Sequence, residues 1–190
     1  MEKNILYIDA NIRYQSRTKA LSDYLVSKLD GNVKHLHLPS IKLPELNDPT
    51  LSYRFMCCKN RDFSSPMFDF AKDFAAADYI VLSAPFWDAS FPASVKEYLE
   101  TISVNHITFE YLPDGTPKGL AKAKCLYYVT TAGGYITDNS FGYGYLRSLA
   151  VGMFGVEDTK MFKAEGLDIR GTDVASALAA CRQEIDAFFK

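Results

Sequence analysis

Five short apolar runs, each separated from the next by residues at helical spacing, constrain this chain more than anything else in it. The runs are residues 5–8, 33–38, 79–82, 125–130 and 159–164. Between them the apolar positions fall three and four apart. Leu21, Tyr24, Leu25 and Leu29 form one stripe within 16–29, which Gly31-Asn32 ends. Phe68, Ala71, Phe74 and Ala75 form another within 67–77. A third helix starts at Pro92 or Ala93 and turns Val95, Tyr98, Leu99 and Ile102 inward, with proline suited to a first turn. A fourth runs from 144 to 154 and is closed by Gly155; the last, 172–189, carries Val174, Leu178, Cys181, Ile185 and Phe188 on one side. Short apolar strands of this kind are expected to be covered on both faces. Alternating with helices, they predict an α/β fold: a five-stranded parallel sheet between two helical layers.

Right-handed crossovers leave few ways to wind five such units, and the flavodoxin-like order 2-1-3-4-5 is the usual one. Residues 1–190 then make a single three-layer domain, with no repeat or linker. Its ligand site lies beyond the C-terminal ends of strands one, three and four. Two excursions interrupt the alternation. Residues 39–66 and 105–120 are too long for routine connections and are expected to serve function or an interface. In the second, Phe109-Glu110-Tyr111 suits a strand and Pro113-Asp114-Gly115 a turn.

A net charge of −2 gives no reason to expect nucleic acid or an anionic membrane as partner. The apolar stretch after Met1-Glu2-Lys3-Asn4 is too short for a signal peptide, and no run approaches a membrane span. A cytoplasmic protein is expected. The four cysteines show no metal spacing; Cys125 and Cys181 read as core thiols, and the adjacent Cys57-Cys58 as reduced rather than redox-active.

Three loops at the predicted ligand end carry unusual chemistry. In the first, residues 9–18, Ser16, Arg17 and Thr18 stand at a helix start, where free amides, hydroxyls and an arginine suit a phosphate. The alternative is an ordinary N-cap serine beside a surface arginine. In the second, Ala84-Pro85-Phe86-Trp87-Asp88-Ala89 leads toward Phe91-Pro92-Ala93. Its rings either cover a flat aromatic ligand or plug the core. In the third, Thr131-Ala132-Gly133-Gly134 either lets backbone approach a ligand closely or makes a tight turn. Neither a dinucleotide G-x-G-x-x-G nor a P-loop is present. Convergence of all three loops on one end of the sheet favours a shared site.

On these segments, with Leu21-Ser22-Asp23-Tyr24 and Ile107-Thr108-Phe109, the whole chain resembles the flavodoxin-like NAD(P)H:quinone oxidoreductases and FMN-dependent azoreductases. The resemblance implies non-covalent FMN, with its phosphate on Ser16, Arg17 and Thr18. Its isoalloxazine would lie along Pro85, Phe86, Trp87, Asp88 and Ala89, and its pyrimidine end at Thr131, Gly133 and Gly134. It further implies a ping-pong enzyme in which NADH or NADPH gives hydride to the flavin and a quinone or azo acceptor takes it. A homodimer with the site at its interface would account for both excursions. Two positions depart from the family. Asp88 stands where its azoreductases often have Asn, and Ala132 where they often have Arg or another polar residue.

No dedicated proton donor stands out, so no side chain is assigned a catalytic role, and no metal is expected. Phe55, His106 and Tyr135 are candidate substrate-pocket residues; His35 and His37, alternating on a strand, read as structural. Two other readings fit the fold. A flavodoxin-type electron carrier would bind FMN without turning over NAD(P)H, but such carriers are usually strongly acidic. A phosphorylated receiver domain needs an aspartate at the end of strand three, where this chain has Ser83-Ala84-Pro85.

Overall fold

In the computed structural model, which describes residues 2–190, the five apolar runs become strands β1 (Asn4–Asp9), β2 (Asn32–His37), β3 (Tyr79–Ser83), β6 (Cys125–Thr131) and β7 (Asp158–Ala164). They form one parallel sheet in the order β2-β1-β3-β6-β7. This is the expected 2-1-3-4-5 order; the numbering shifts because a small hairpin, β4 (Phe109–Tyr111) and β5 (Pro117–Gly119), lies between the third and fourth sheet strands.

The inner strands β1, β3 and β6 read as nearly unbroken apolar runs because each feeds two cores, whereas the edge strand β2 fully buries only Leu36. On β1, Leu6 and Ile8 enter the layer beneath α3 (Asp69–Ala76), α4 (Ala93–Ile102) and α5 (Tyr145–Gly152). Ile5 and Tyr7 enter the layer beneath α1 (Arg17–Val26) and α6 (Val174–Phe188). Register sets the functional end. Asp9 pairs with Ser83, and Ser83 with Val129, so β1, β3 and β6 finish side by side.

The excursions differ from expectation in one respect. Residues 39–66 contain a helix, α2 (Asp48–Asn60), which the sequence reading did not assign. Its start signal is explicit: Asn47 accepts the Thr50 amide, Thr50 returns a bond to the Asn47 amide, and Pro49 sits in the first turn. The apolar residues obscure it, because Leu51, Tyr53, Phe55 and Met56 all remain exposed and no inward stripe appears. The fourth expected helix is also shorter. A π-helical turn over Ser140–Gly144 leads into α5.

One packing feature makes a simple stability prediction. Tyr98 is wholly buried, and its hydroxyl has no hydrogen-bond partner among the described residues. Burial accordingly pushes its ionisation well above the usual phenol range. An unmade buried bond costs more than the hydroxyl returns, so Tyr98→Phe is expected to stabilise the fold by about 1 kcal/mol. A melting temperature unchanged or lowered in the variant would contradict this.

Candidate functional site

Beyond the ends of β1, β3 and β6 lies a cavity of about 360 Å³. It is lined by Asn11 to Arg13 and Gln15 to Thr18 from the first loop, by Pro85, Phe86 and Trp87 from the second, and by Thr131, Ala132 and Gly133 from the third. A fourth segment, Leu167 and Asp168, closes the remaining side. The sequence does not single out this segment, and Asn11 stands there only as one residue of the 9–18 loop.

The loops are bonded to one another. Thr18 Oγ1 and Thr131 Oγ1 lie 2.6 Å apart, and the Phe86 amide donates to the Thr131 carbonyl at 2.9 Å. The Asp168 amide donates to the Gly133 carbonyl at 2.9 Å, and Arg17 Nη1 reaches Asp168 Oδ1 at 3.1 Å. A side chain at 133 would press on that carboxylate: a Cβ there would stand 2.5 Å from Asp168 Oδ2.

At the first loop, Ser16 caps α1 by accepting the Lys19 amide at 3.1 Å. The Arg17 and Thr18 amides have no acceptor among the described residues, as expected for a helix's first turn. With the positive end of the helix and the Arg17 guanidinium, they make one end of the cavity attractive to an anion. At the third loop, the Gly133 and Gly134 carbonyls are taken by the Asp168 and Gly166 amides, while their own amides find no partner among the described residues.

The second loop is a tight two-residue turn. Trp87 and Ser90 exchange both backbone bonds, at 2.9 and 2.8 Å, across Asp88 (φ 49°) and Ala89 (φ 65°). This mirror-image turn normally takes asparagine and glycine. A left-handed alanine costs roughly 1–2 kcal/mol, and such strain persists where the surroundings or the function fix it. The turn holds Trp87 at the cavity edge, 39% exposed.

The expected site residues are thus sorted. Ser16, Arg17, Thr18, Pro85, Phe86, Trp87, Thr131 and Gly133 line one cavity. Asp88 and Ala89 form the turn behind Trp87, and the exposed Asp88 side chain makes no hydrogen bond or ion pair among the described residues. Gly134 lies just outside the lining. Tyr135 packs over Gly166, 67% exposed. Phe55 and His106 are not at this cavity. They line a larger, mostly apolar one of about 830 Å³, between α2, α4, α5 and the 103–109 segment. His106 there has a left-handed backbone, φ 70°.

All four cysteines are buried and free. Burial raises the Cys58 thiol and holds Cys125 and Cys181 at about 11. Burial thus disfavours the reactive thiolate at Cys58. Among the described residues no group of His, Cys, Asp and Glu suits a metal ion, and no helix is long and apolar enough to cross a membrane.

Comparison with known proteins agrees with this geometry. Residues 3–189 match the family model described as a flavodoxin-like fold. The chain is 33% identical over 180 residues to an FMN-dependent NADH:quinone oxidoreductase of Clostridium perfringens, covering 90% of this chain and 89% of the relative. It is 32% identical over 183 residues to one of Clostridium beijerinckii, covering 92% and 91%. The fold superimposes on a Bacillus anthracis azoreductase with a TM-score of 0.85, at 21% identity and with 98% of each chain covered. An FMN-dependent NADH-azoreductase of Bacillus anthracis, solved in complex with FMN, gives 0.81 at 18% identity, with 98% of this chain and 97% of that one covered. In fold and in sequence, the chain belongs to the flavodoxin-like family that contains the FMN-dependent NADH:quinone oxidoreductases.

Proposed function

We propose that this chain is an FMN-dependent oxidoreductase that takes electrons from NADH and passes them to a quinone or azo compound. The observation that carries the reading is one cavity lined both by the start of α1, with its free amides and Arg17, and by the rings of Phe86 and Trp87. A phosphorylated molecule with a flat ring system fits that division, and FMN is such a molecule. When bound, it supplies two-electron chemistry that the side chains lack.

The chain's own residues bind and orient. Arg17 and Thr18 would hold the phosphate. Phe86 and Trp87 would present ring faces to the isoalloxazine, and the Gly133 and Gly134 amides would meet its polar edge. Asp88 acts through its backbone: aspartate and asparagine both tolerate the left-handed turn, which explains how either serves at this position. With no ionisable side chain of the second loop in the cavity wall, donor and acceptor would be positioned by stacking and take turns over the same face. This is the ping-pong order.

We further propose that residues 1–190 act as one domain and as a homodimer. Exposed Leu51, Phe55 and Met56 on α2, beside the apolar cavity of Phe55 and His106, offer a surface that a second copy would cover. Four reduced, buried thiols fit the cytoplasm.

The chain's one tryptophan is Trp87, so its fluorescence reports on this cavity alone. Adding FMN to flavin-free protein is expected to quench most of the tryptophan emission, with saturation at one FMN per chain. The loaded protein is expected to oxidise NADH with menadione as acceptor. Emission indifferent to FMN would remove the cofactor reading. Quenching without NADH turnover would leave an electron carrier in its place.

A further inference from the structure

Asn11 is 3% exposed and sits where three elements end. Its amide nitrogen Nδ2 is 2.7 Å from Asp9 Oδ1, at the end of β1, and 2.7 Å from Ser83 Oγ, at the end of β3. Its Oδ1 is 2.8 Å from Ser16 Oγ, the N-cap of α1. Chemistry fixes the direction of each bond. Asp9 is fully buried, and its Oδ1 already accepts the Asn11 backbone amide at 2.9 Å, so it presents lone pairs on that side. The side-chain group 2.7 Å away must then be the NH₂ of Asn11. Its carbonyl oxygen consequently faces Ser16, and the Ser16 hydroxyl must donate to it. That leaves the serine's lone pairs for the Lys19 amide.

We infer that Asp9 and Asn11 are positioning residues for the phosphate monoester of the cofactor, acting through Ser16. The inference rests on the proposed FMN reading. A buried carboxylate sets the orientation of one amide, and that amide sets the hydroxyl that caps α1. With its only proton committed to Asn11, Ser16 organises the helix start rather than donating to the ligand. The phosphate falls to the Arg17 and Thr18 amides and the Arg17 guanidinium.

The loop needs this anchor. Residues 12–15 make no hydrogen bond to the sheet among the described residues, and Ile12 and Tyr14 are 60% and 105% exposed. What ties the loop to the sheet is Asn11, by its side chain and by its carbonyl, which lies 3.0 Å from His37 Nε2. His35 closes the far side of Asp9, with Nε2 at 3.2 Å from Oδ2, and is stacked on Tyr7. The aromatic wall has separate supports. The Ala84 and Phe86 amides bond to β6, and the Ala10 amide to the Ser83 carbonyl. Loss of the Asn11 side chain should therefore disturb the phosphate end and spare the ring end.

The test uses the full chain, stripped of flavin and titrated with FMN and with riboflavin, which lacks the phosphate. Asn11→Ala is expected to weaken FMN about ten-fold, the scale of one or two lost hydrogen bonds, and to change riboflavin by less than about two-fold. Ser16→Ala should do the same. The double variant should be no weaker than Ser16→Ala alone, since one residue acts through the other. Asp9→Asn, which keeps shape and volume, should give a smaller loss confined to FMN, and serves where Asn11→Ala does not fold. Equal losses for the two flavins would make these residues scaffold only and overturn the inference, as would multiplicative losses in the double variant or unchanged FMN affinity. A wild-type chain that binds neither flavin would instead overturn the cofactor reading itself.

Discussion

Arg17→Ala is expected to weaken FMN binding by roughly ten- to a hundred-fold while leaving the melting temperature of the flavin-free chain nearly unchanged, because hydrogen bonds to a charged group contribute about 1.5–3 kcal/mol. The reasoning starts from where Arg17 stands. It opens α1, beside the unpartnered first-turn amides, and its guanidinium is free to rearrange: the ion pair with Asp168 joins side chains 45% and 74% exposed. A pair that open to water contributes little to stability, so removing it costs the fold almost nothing. A phosphate dianion among the first-turn amides is a far better partner, since it adds charge and geometry that the exposed carboxylate lacks. The same argument gives the opposite sign for the partner. Asp168→Asn removes a competing negative charge from the rim and keeps the backbone bond from residue 168 to the Gly133 carbonyl. It should tighten FMN binding, and raising the salt concentration should narrow its difference from wild type. Both are read by FMN titration of the stripped protein. If Arg17→Ala bound FMN as wild type does, the phosphate would not lie at this helix start.

The fold was legible because the sheet is parallel. Both faces of β1, β3 and β6 are covered, so each strand is a continuous apolar run, and the helices between them show their stripes plainly. The order of the strands followed from handedness rather than from any motif. Loops bearing the site were legible for a different reason. Residue types such as Ser16-Arg17-Thr18 and Gly133-Gly134 are uncommon in combination at strand ends, and the register of Asp9, Ser83 and Val129 brings them together.

What escaped the sequence depends on contacts between distant residues. Asn11 looked like one polar loop residue among several; its role exists only because Asp9 and Ser83 end adjacent strands. Asp168 lies far along the chain from Arg17, in a turn with no distinguishing composition. Asp88 stood out in the sequence as a departure from the family's asparagine; the backbone shows it to be a turn former whose side chain is exposed. Helix α2 was hidden because its apolar side chains face outward, and outward-facing rings give no period to read. Phe55 and His106, expected as substrate-pocket residues, lie in the two excursions, whose packing no local pattern reveals. In the chain they line a separate, mostly apolar cavity between α2, α4 and α5.

Gly119→Ala is expected to destabilise the chain by about 3–5 kcal/mol, the sum of an overpacked contact and a broken buried backbone bond, which lowers the melting temperature by roughly 6–20 °C. Gly119 ends β5 and lies directly on the turn before β7. A Cβ there would fall 2.1 Å from the Gly155 nitrogen and 2.2 Å from the Phe154 carbonyl carbon. Neither is the movable tip of a side chain, so the hairpin must lift from the body. Lifting it strains the bond from the Ala121 amide to the Phe154 carbonyl, 2.9 Å long. It also drags on Phe154, which is wholly buried and packed edge-on against Phe74. Relief from the other side is not available, since Gly155 is itself left-handed, φ 82°, and would meet Gly119 Cα at 2.9 Å with any side chain of its own. This contact lies at the N-terminal end of β6 and β7, the end of the sheet opposite the cavity. Well below its melting temperature the variant should therefore bind FMN as wild type does. Arg17→Ala and Gly119→Ala thus separate two quantities, one losing affinity with stability kept and the other losing stability with affinity kept. A Gly119→Ala chain that melted normally, or one that lost FMN at low temperature, would show that the two ends of the sheet are not independent in this way.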